Sequence, residues 1–351
     1  MILPGSSTLT LILLILSLLC WGSWANTFKL AGKWRFELYY FDFAVGMLLA
    51  SLIAAFTFGS LGWDGFSFLD DLRNAGKRED LYAFLGGAVF NLGNTFLLAA
   101  ISVAGLSVAV PVSLGAALIV GVIWTWFMHP GGNPIFLGVG CLVAALAVVL
   151  TVIGYRSHAE FQRKPLLQAP TAKSKALKKL SATATFLLAI VGGLLLGSFA
   201  PLLDLARASE NGLGPYSAGF IFAFAVVVTT FVYSLFFMNL PVQGQPLDLG
   251  DYFKGTGKQH GLGVLGGMLL STGLVAGMVA SRAEGAAHAG AAVTYGLEHG
   301  GAVLSALFGL LAFKEFVEAD GRVRTFLFLA LLMLAAGITV VALAPQFGSG
   351  N

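Results

Sequence analysis

Tyr295, Glu298 and His299 fall at i, i+3 and i+4 in an otherwise apolar stretch, so a phenol, a carboxylate and an imidazole share one helix face. His288, seven residues before Tyr295, extends the same stripe. A carboxylate beside an imidazole in a low-dielectric setting can exchange protons, the chemistry needed to couple solute movement to a proton gradient. The plainer alternative is a static Glu298–His299 or interhelical hydrogen bond.

A second polar face comes from Asn91, Asn94 and Thr95, whose amides and hydroxyl suit uncharged recognition and equally suit hydrogen bonding between helices. Trp21, Trp24 and Asn26 combine broad ring surface with an amide, the mix that grips a small planar or ring-shaped solute. Trp21 is also plausible as packing. Lys29, Asp42 and Asp204 stand at or near the edges of apolar runs and are candidates for a gate or ion pair. Arg207, three residues after Asp204, makes a surface pair the competing reading there. Trp34, Tyr39 and Tyr40 fit an interfacial aromatic belt, and Pro111 and Pro201 fit kinks inside spans. No metal site and no cofactor is expected.

These residues need a lipid-immersed scaffold. Of 351 residues, 57% are hydrophobic and only 11% charged, about half the charged share usual in soluble domains. A bilayer core takes about 20 mostly apolar residues per helix. Runs of that kind lie at 7–29, 40–62, 82–103, 105–127, 134–155, 181–204, 215–239, 259–281, 286–312 and 323–344. The expected fold is therefore an all-α membrane protein of ten transmembrane helices, whose 45 glycines allow close helix approach. The apolar stretch from Leu11 to Cys20 has no preceding basic residue and no following small-residue cleavage site, and reads as a retained first helix. Cys20 and Cys141 both lie in runs, which argues against a disulfide framework.

Fifteen of the 20 Lys and Arg residues fall in loops on one side, which the positive-inside rule makes cytoplasmic. Both termini then face outward in a multi-pass protein of the plasma or bacterial inner membrane. The basic segment 156–180 becomes an internal linker between halves 1–155 and 181–351. The net charge of +3 is no sign of nucleic-acid binding, because the positive residues are confined to loops beside the membrane, where anionic lipid is the expected neighbour.

The halves repeat one another. Gly22-Ser23-Trp24-Ala25 returns as Gly197-Ser198-Phe199-Ala200, and Leu85-Gly86-Gly87 with Gly93 returns as Leu265-Gly266-Gly267 with Gly273. Lys29 aligns with Asp204, so one position keeps ionisable character while reversing sign. Duplication of a five-helix unit inverts the second copy, because five is odd. Two inverted five-helix repeats imply alternating access, with the solute held between them.

Several segments resemble the ureide permease-like transporters of the drug/metabolite transporter superfamily, relatives of the glucose/ribose and rhamnose porters. The resemblance spans nearly the whole chain. It rests on Phe41-Asp42-Phe43 with Phe56-Thr57-Phe58-Gly59-Ser60-Leu61-Gly62, and on Gly86-Gly87 with Leu92-Gly93-Asn94. Gly105-Leu106-Ser107-Val108, Gly138-Val139-Gly140-Cys141, and Gly309 with Phe313-Lys314-Glu315-Phe316 add to it. It implies the ten-helix inverted-repeat fold and proton-coupled uptake of ureides, nucleobases or related heterocycles. Apart from the resemblance, sodium is the other coupling ion to consider. The central linker has no glycine and lacks the phosphate-loop-like motif of plant members, which makes a sugar the leading substitute solute. An exporter of amphipathic or cationic compounds is a further alternative. An intramembrane enzyme ranks lower, because neither His-Glu-x-x-His nor Gly-x-Ser-x-Gly occurs.

Overall fold

The computed structural model describes residues 1–128, 130–168, 181–289 and 291–347, and within them the regular structure is helical throughout. The helices are α1 (Ser7–Leu30), α2 (Phe36–Phe56), the short α3 (Phe68–Asn74), α4 (Lys77–Ala104), α5 (Leu106–Met128) and α6 (Pro134–Gln168). The second half holds α7 (Ala182–Arg207), α8 (Pro215–Asn239), α9 (Gly257–Ala280), α10 (Ala291–Leu307) and α11 (Gly321–Leu343). All except α3 and α10 are, among the described residues, long and apolar enough to cross a membrane. α10 has 17 residues and runs directly into the π-helical turn Phe308–Ala312, which brings it to membrane-spanning length.

Local chemistry sets the helix ends. The Ser6 and Ser181 hydroxyls accept from the N–H groups of Leu9 and Ala184, and Thr256 with Gln259 forms a capping box at α9. Gly105, at φ +84°, turns the chain sharply between α4 and α5.

Several boundaries depart from the hydropathy pattern, among them the end of α2 at Phe56 rather than residue 62 and the start of α4 at Lys77 rather than residue 82. α2 begins at Phe36 rather than residue 40, because Glu37 is buried against Arg35 instead of lying in a loop. α6 continues to Gln168, well beyond residue 155, through a segment containing the good helix formers Ala159, Glu160, Gln162, Arg163 and Lys164. The first part of the expected linker is thus helical, and residues 169–180 lie outside the described part. His288 is not on the α10 stripe: it caps the 3₁₀ turn Gly285–Ala287, three residues before the helix begins.

α4 and α9 lie at the centre, with 67% of each span buried, whereas α6 is peripheral at 22%. α4 packs on α7 as α9 packs on α1; α5 packs on α7 as α10 packs on α1; α4 packs on α8 as α9 packs on α2. The pairs α2–α8, α5–α10 and α6–α11 join the halves directly. Exchanging the first five long helices for the second five thus returns the same principal interfaces. The detail is shared as well. A methyl on Gly87 would collide with the Phe222 carbonyl oxygen, and one on Gly267 with that of Phe43. Only glycine lets these backbones meet, which is how helices gain packing energy where lipid gives no hydrophobic drive.

Candidate functional site

A cavity of about 520 Å³ lies between α1, α5, α7, α9, α10 and α11. It runs from Trp21 and Gly273, midway along their helices, to Gly131, Ser281 and Pro345 at helix ends. α10 contributes Tyr295, Glu298 and His299, so the spacing that marked them as one face places all three on this cavity. Gly277 makes room for the carboxylate: a methyl there would sit 3.3 Å from both Glu298 Oε1 and Ser17 Oγ. The Ser17 hydroxyl donates to the Gly273 carbonyl at 2.9 Å.

His299 Nδ1 lies 3.0 Å from the Tyr295 carbonyl oxygen, which can only accept, so Nδ1 carries the proton. In the neutral ring Nε2 is then an acceptor. The ring stacks on Tyr295 at 4.0 Å and 18°. Trp21 stacks on Phe199 with centroids 6.3 Å apart and meets Phe90 edge-on, forming an aromatic floor.

α7 brings Asp204 and Arg207 to the same cavity, close enough for their charges to interact with Glu298. Arg207, weighed from the sequence as a surface partner of Asp204, itself lines the cavity. Its Nη2 donates to the Met278 carbonyl and the Ser281 hydroxyl, both at 3.0 Å, tying α7 to the end of α9. The i, i+3 spacing from Asp204 was the available signal.

The remaining candidates do not line the cavity. Asn91 Nδ2 lies within hydrogen-bond distance of the Val226 carbonyl and the Thr229 and Thr230 hydroxyls, binding α4 to α8. Asn94 Nδ2 donates to the Tyr40 hydroxyl at 3.0 Å, and the Thr95 hydroxyl donates to the Asn91 carbonyl at 2.7 Å. Trp24 is buried against Phe43, and the buried Asn26 Oδ1 has no hydrogen-bond partner among the described residues. Tyr39 and Tyr40 are fully buried rather than interfacial, with Tyr39 hydrogen-bonded to the Thr27 hydroxyl at 2.7 Å.

Lys29 and Asp42 sit toward the opposite end of the bundle. Lys29 Nζ is 2.8 Å from Glu315 Oε1. Glu315 also accepts from the N–H groups of Leu106 and Ser107, each at 2.9 Å, and from the Ser107 hydroxyl at 2.6 Å. One carboxylate therefore clasps the end of α1, the start of α5 and the turn after α10. Burial pushes the Glu315 carboxyl up, but Lys29 and Ser107 outweigh it and hold it below the usual carboxylate range. Asp42 accepts from the Tyr252 hydroxyl and lies 2.8 Å from His260 Nδ1, pinning the α8–α9 connection to α2 and α9.

Residues 39–188 match the family model described as ureide permease. Ureide permease 2 of Arabidopsis thaliana is 24% identical over 386 residues, covering 93% of this chain and 95% of its own. Probable ureide permease A3 of Vigna unguiculata is 27% identical over 265 residues, covering 59% of this chain and 70% of its own. A crystal structure with 16% identity superposes with a TM-score of 0.53 over 98% of this chain and 100% of that one, which marks a shared fold.

Proposed function

Starting from a chain that is a ureide permease-like, multi-pass membrane transporter of small polar solutes, we propose that it moves its solute by alternating access, coupled to protons through Glu298. The candidate solutes are a ureide, a nucleobase or a sugar. The observation that carries this reading is the Glu298 carboxylate on a mid-bundle cavity, beside His299, Asp204 and Arg207. A carboxylate at membrane depth costs about 3 kcal/mol or more and is retained where it works on a pathway.

The two five-helix sets act as inverted repeats around that cavity, with exchangeable interfaces as the structural support. The cavity reaches the face on which α11 ends, taken from the distribution of basic residues as the outer one. The other face is held shut by Lys29, Glu315 and Ser107, so the conformation is outward-facing. Trp21 and Phe199 supply apolar surface, while Glu298 and His299 Nε2 accept hydrogen bonds from the solute.

The test is uptake into proteoliposomes of radiolabelled allantoin, uracil, ribose and rhamnose under an imposed pH gradient. Glu298→Gln should abolish gradient-driven accumulation while solute counterflow stays measurable. Equal accumulation by mutant and parent would remove Glu298 from the coupling role, and no accumulation of any solute by the parent would remove the proton-driven reading.

A further inference from the structure

We infer that a second cleft, beside the Lys29–Glu315 clasp, binds a phosphate group carried by either an anionic lipid or a soluble phosphate compound. The cleft measures about 230 Å³ and lies between the end of α1, the α1–α2 connection, the end of α4 and the segment after α8. Its charged lining residues are Lys29, Lys33 and Arg35, with Ser102 and Gln243 beside them and no acidic side chain among the lining residues. The carboxylates that balance Lys29 and Arg35 lie behind them: Glu315 and Glu37 have side-chain exposures of 8% and 0%, against 28% and 24% for their cations.

The cations retain donors for a ligand. Lys29 directs one of its three N–H groups to Glu315. Arg35 uses Nε and Nη2 on Glu37 and Nη1 on the Gln245 carbonyl, which leaves two of its five N–H groups. Lys33 forms no ion pair among the described residues and is exposed. Trp34, Phe36 and Ile101 wall the cleft with buried apolar surface, which weakens screening of the three charges. Several free N–H donors converging on a small pit suit a compact anion with several acceptor oxygens. A headgroup phosphate on the more basic face and a soluble phosphate have the same chemistry there. Because Lys29 faces both the cleft and Glu315, the ligand also competes for the clasp.

The inference stands apart from the transport reading, since binding is read without turnover. The full chain is purified in neutral detergent, and its thermal midpoint is followed with inorganic phosphate against chloride at matched ionic strength. In parallel it is placed in nanodiscs of phosphatidylcholine alone or with a minor fraction of phosphatidylglycerol. A rise with phosphate identifies the soluble source, and a rise confined to the phosphatidylglycerol discs identifies the lipid. Lys33→Glu should weaken the responding ligand at least tenfold, with its unliganded midpoint reporting that it folds. Lys258→Glu, exposed at the start of α9 and outside the cleft, should leave the affinity unchanged. No response to either ligand, no effect of Lys33→Glu, or equal weakening by both substitutions would overturn the site.

Discussion

Glu315 receives an ammonium, a hydroxyl and two backbone N–H groups, and an amide in its place keeps one accepting oxygen but loses the charge and turns an NH2 toward donors that need an acceptor. Its carboxyl is held below the ordinary range. Its stabilisation is therefore complete above the unfolded value of about 4.3 and is lost as pH falls through the lower folded value. Glu315→Gln should lower stability at neutral pH by roughly 1–3 kcal/mol, the typical loss for a charged hydrogen-bonded group. The gap should close on acidification, as read by thermal unfolding in detergent at several pH values; a gap independent of pH would mean that the charge is not what matters. In the cavity, Trp21→Ala should weaken solute affinity about tenfold by removing half of the stacked floor, checked by equilibrium binding, an effect typical of a buried aromatic anchor. Tyr295, Glu298 and His299 were legible from spacing because a helix face is a local property. Arg207 was legible only as a neighbour of Asp204 and Glu315 only as part of a motif, since the groups that define their roles lie on other helices, Met278 and Ser281 for one and Lys29 and Ser107 for the other. Asn91, whose polar face suited solute contact and interhelical hydrogen bonding equally in the sequence, meets three acceptors on α8.

Helices α2, α4, α8 and α9 meet backbone to backbone, and their glycines carry that geometry. Gly267→Ala should force α9 from α2 and cost about 1–3 kcal/mol, the usual price of overpacking. Gly138→Ala, whose added methyl meets no atom within 4 Å, should be neutral or slightly stabilising. Chemical unfolding of the two variants side by side checks this, and equal effects would mean that helix propensity governs both. The elements themselves were legible because every span buries its backbone polar groups internally, leaving a long apolar run in the sequence. The misplaced boundaries arose where a charge had an unforeseen partner, as with Glu37, or where a polar helix outlasted the apolar run, as with α6.

For the whole molecule, the principal helix interfaces of one half recur in the other, and this is the packing on which the proposed alternating access rests. Thr125→Cys, on the cavity and exposed, should react readily with a membrane-impermeant thiol reagent added from the face bearing the end of α11. Ser102→Cys, beside the clasp, should react only from the opposite face and faster in the Glu315→Gln background. Labelling of both positions from one face would put the cavity mouth and the clasp on the same side and end the outward-facing reading. The halves are alike in packing but opposite in sign where Lys29 aligns with Asp204. The cleft at one end of the bundle carries Lys29, Lys33 and Arg35, and the cavity that opens at the other carries Asp204 and Glu298 with Arg207. On the proposed alternating-access reading, the cavity that holds Asp204 and Glu298 favours a cation while the cleft that holds Lys29, Lys33 and Arg35 disfavours one, so a charged solute would meet a different field at each end of the bundle.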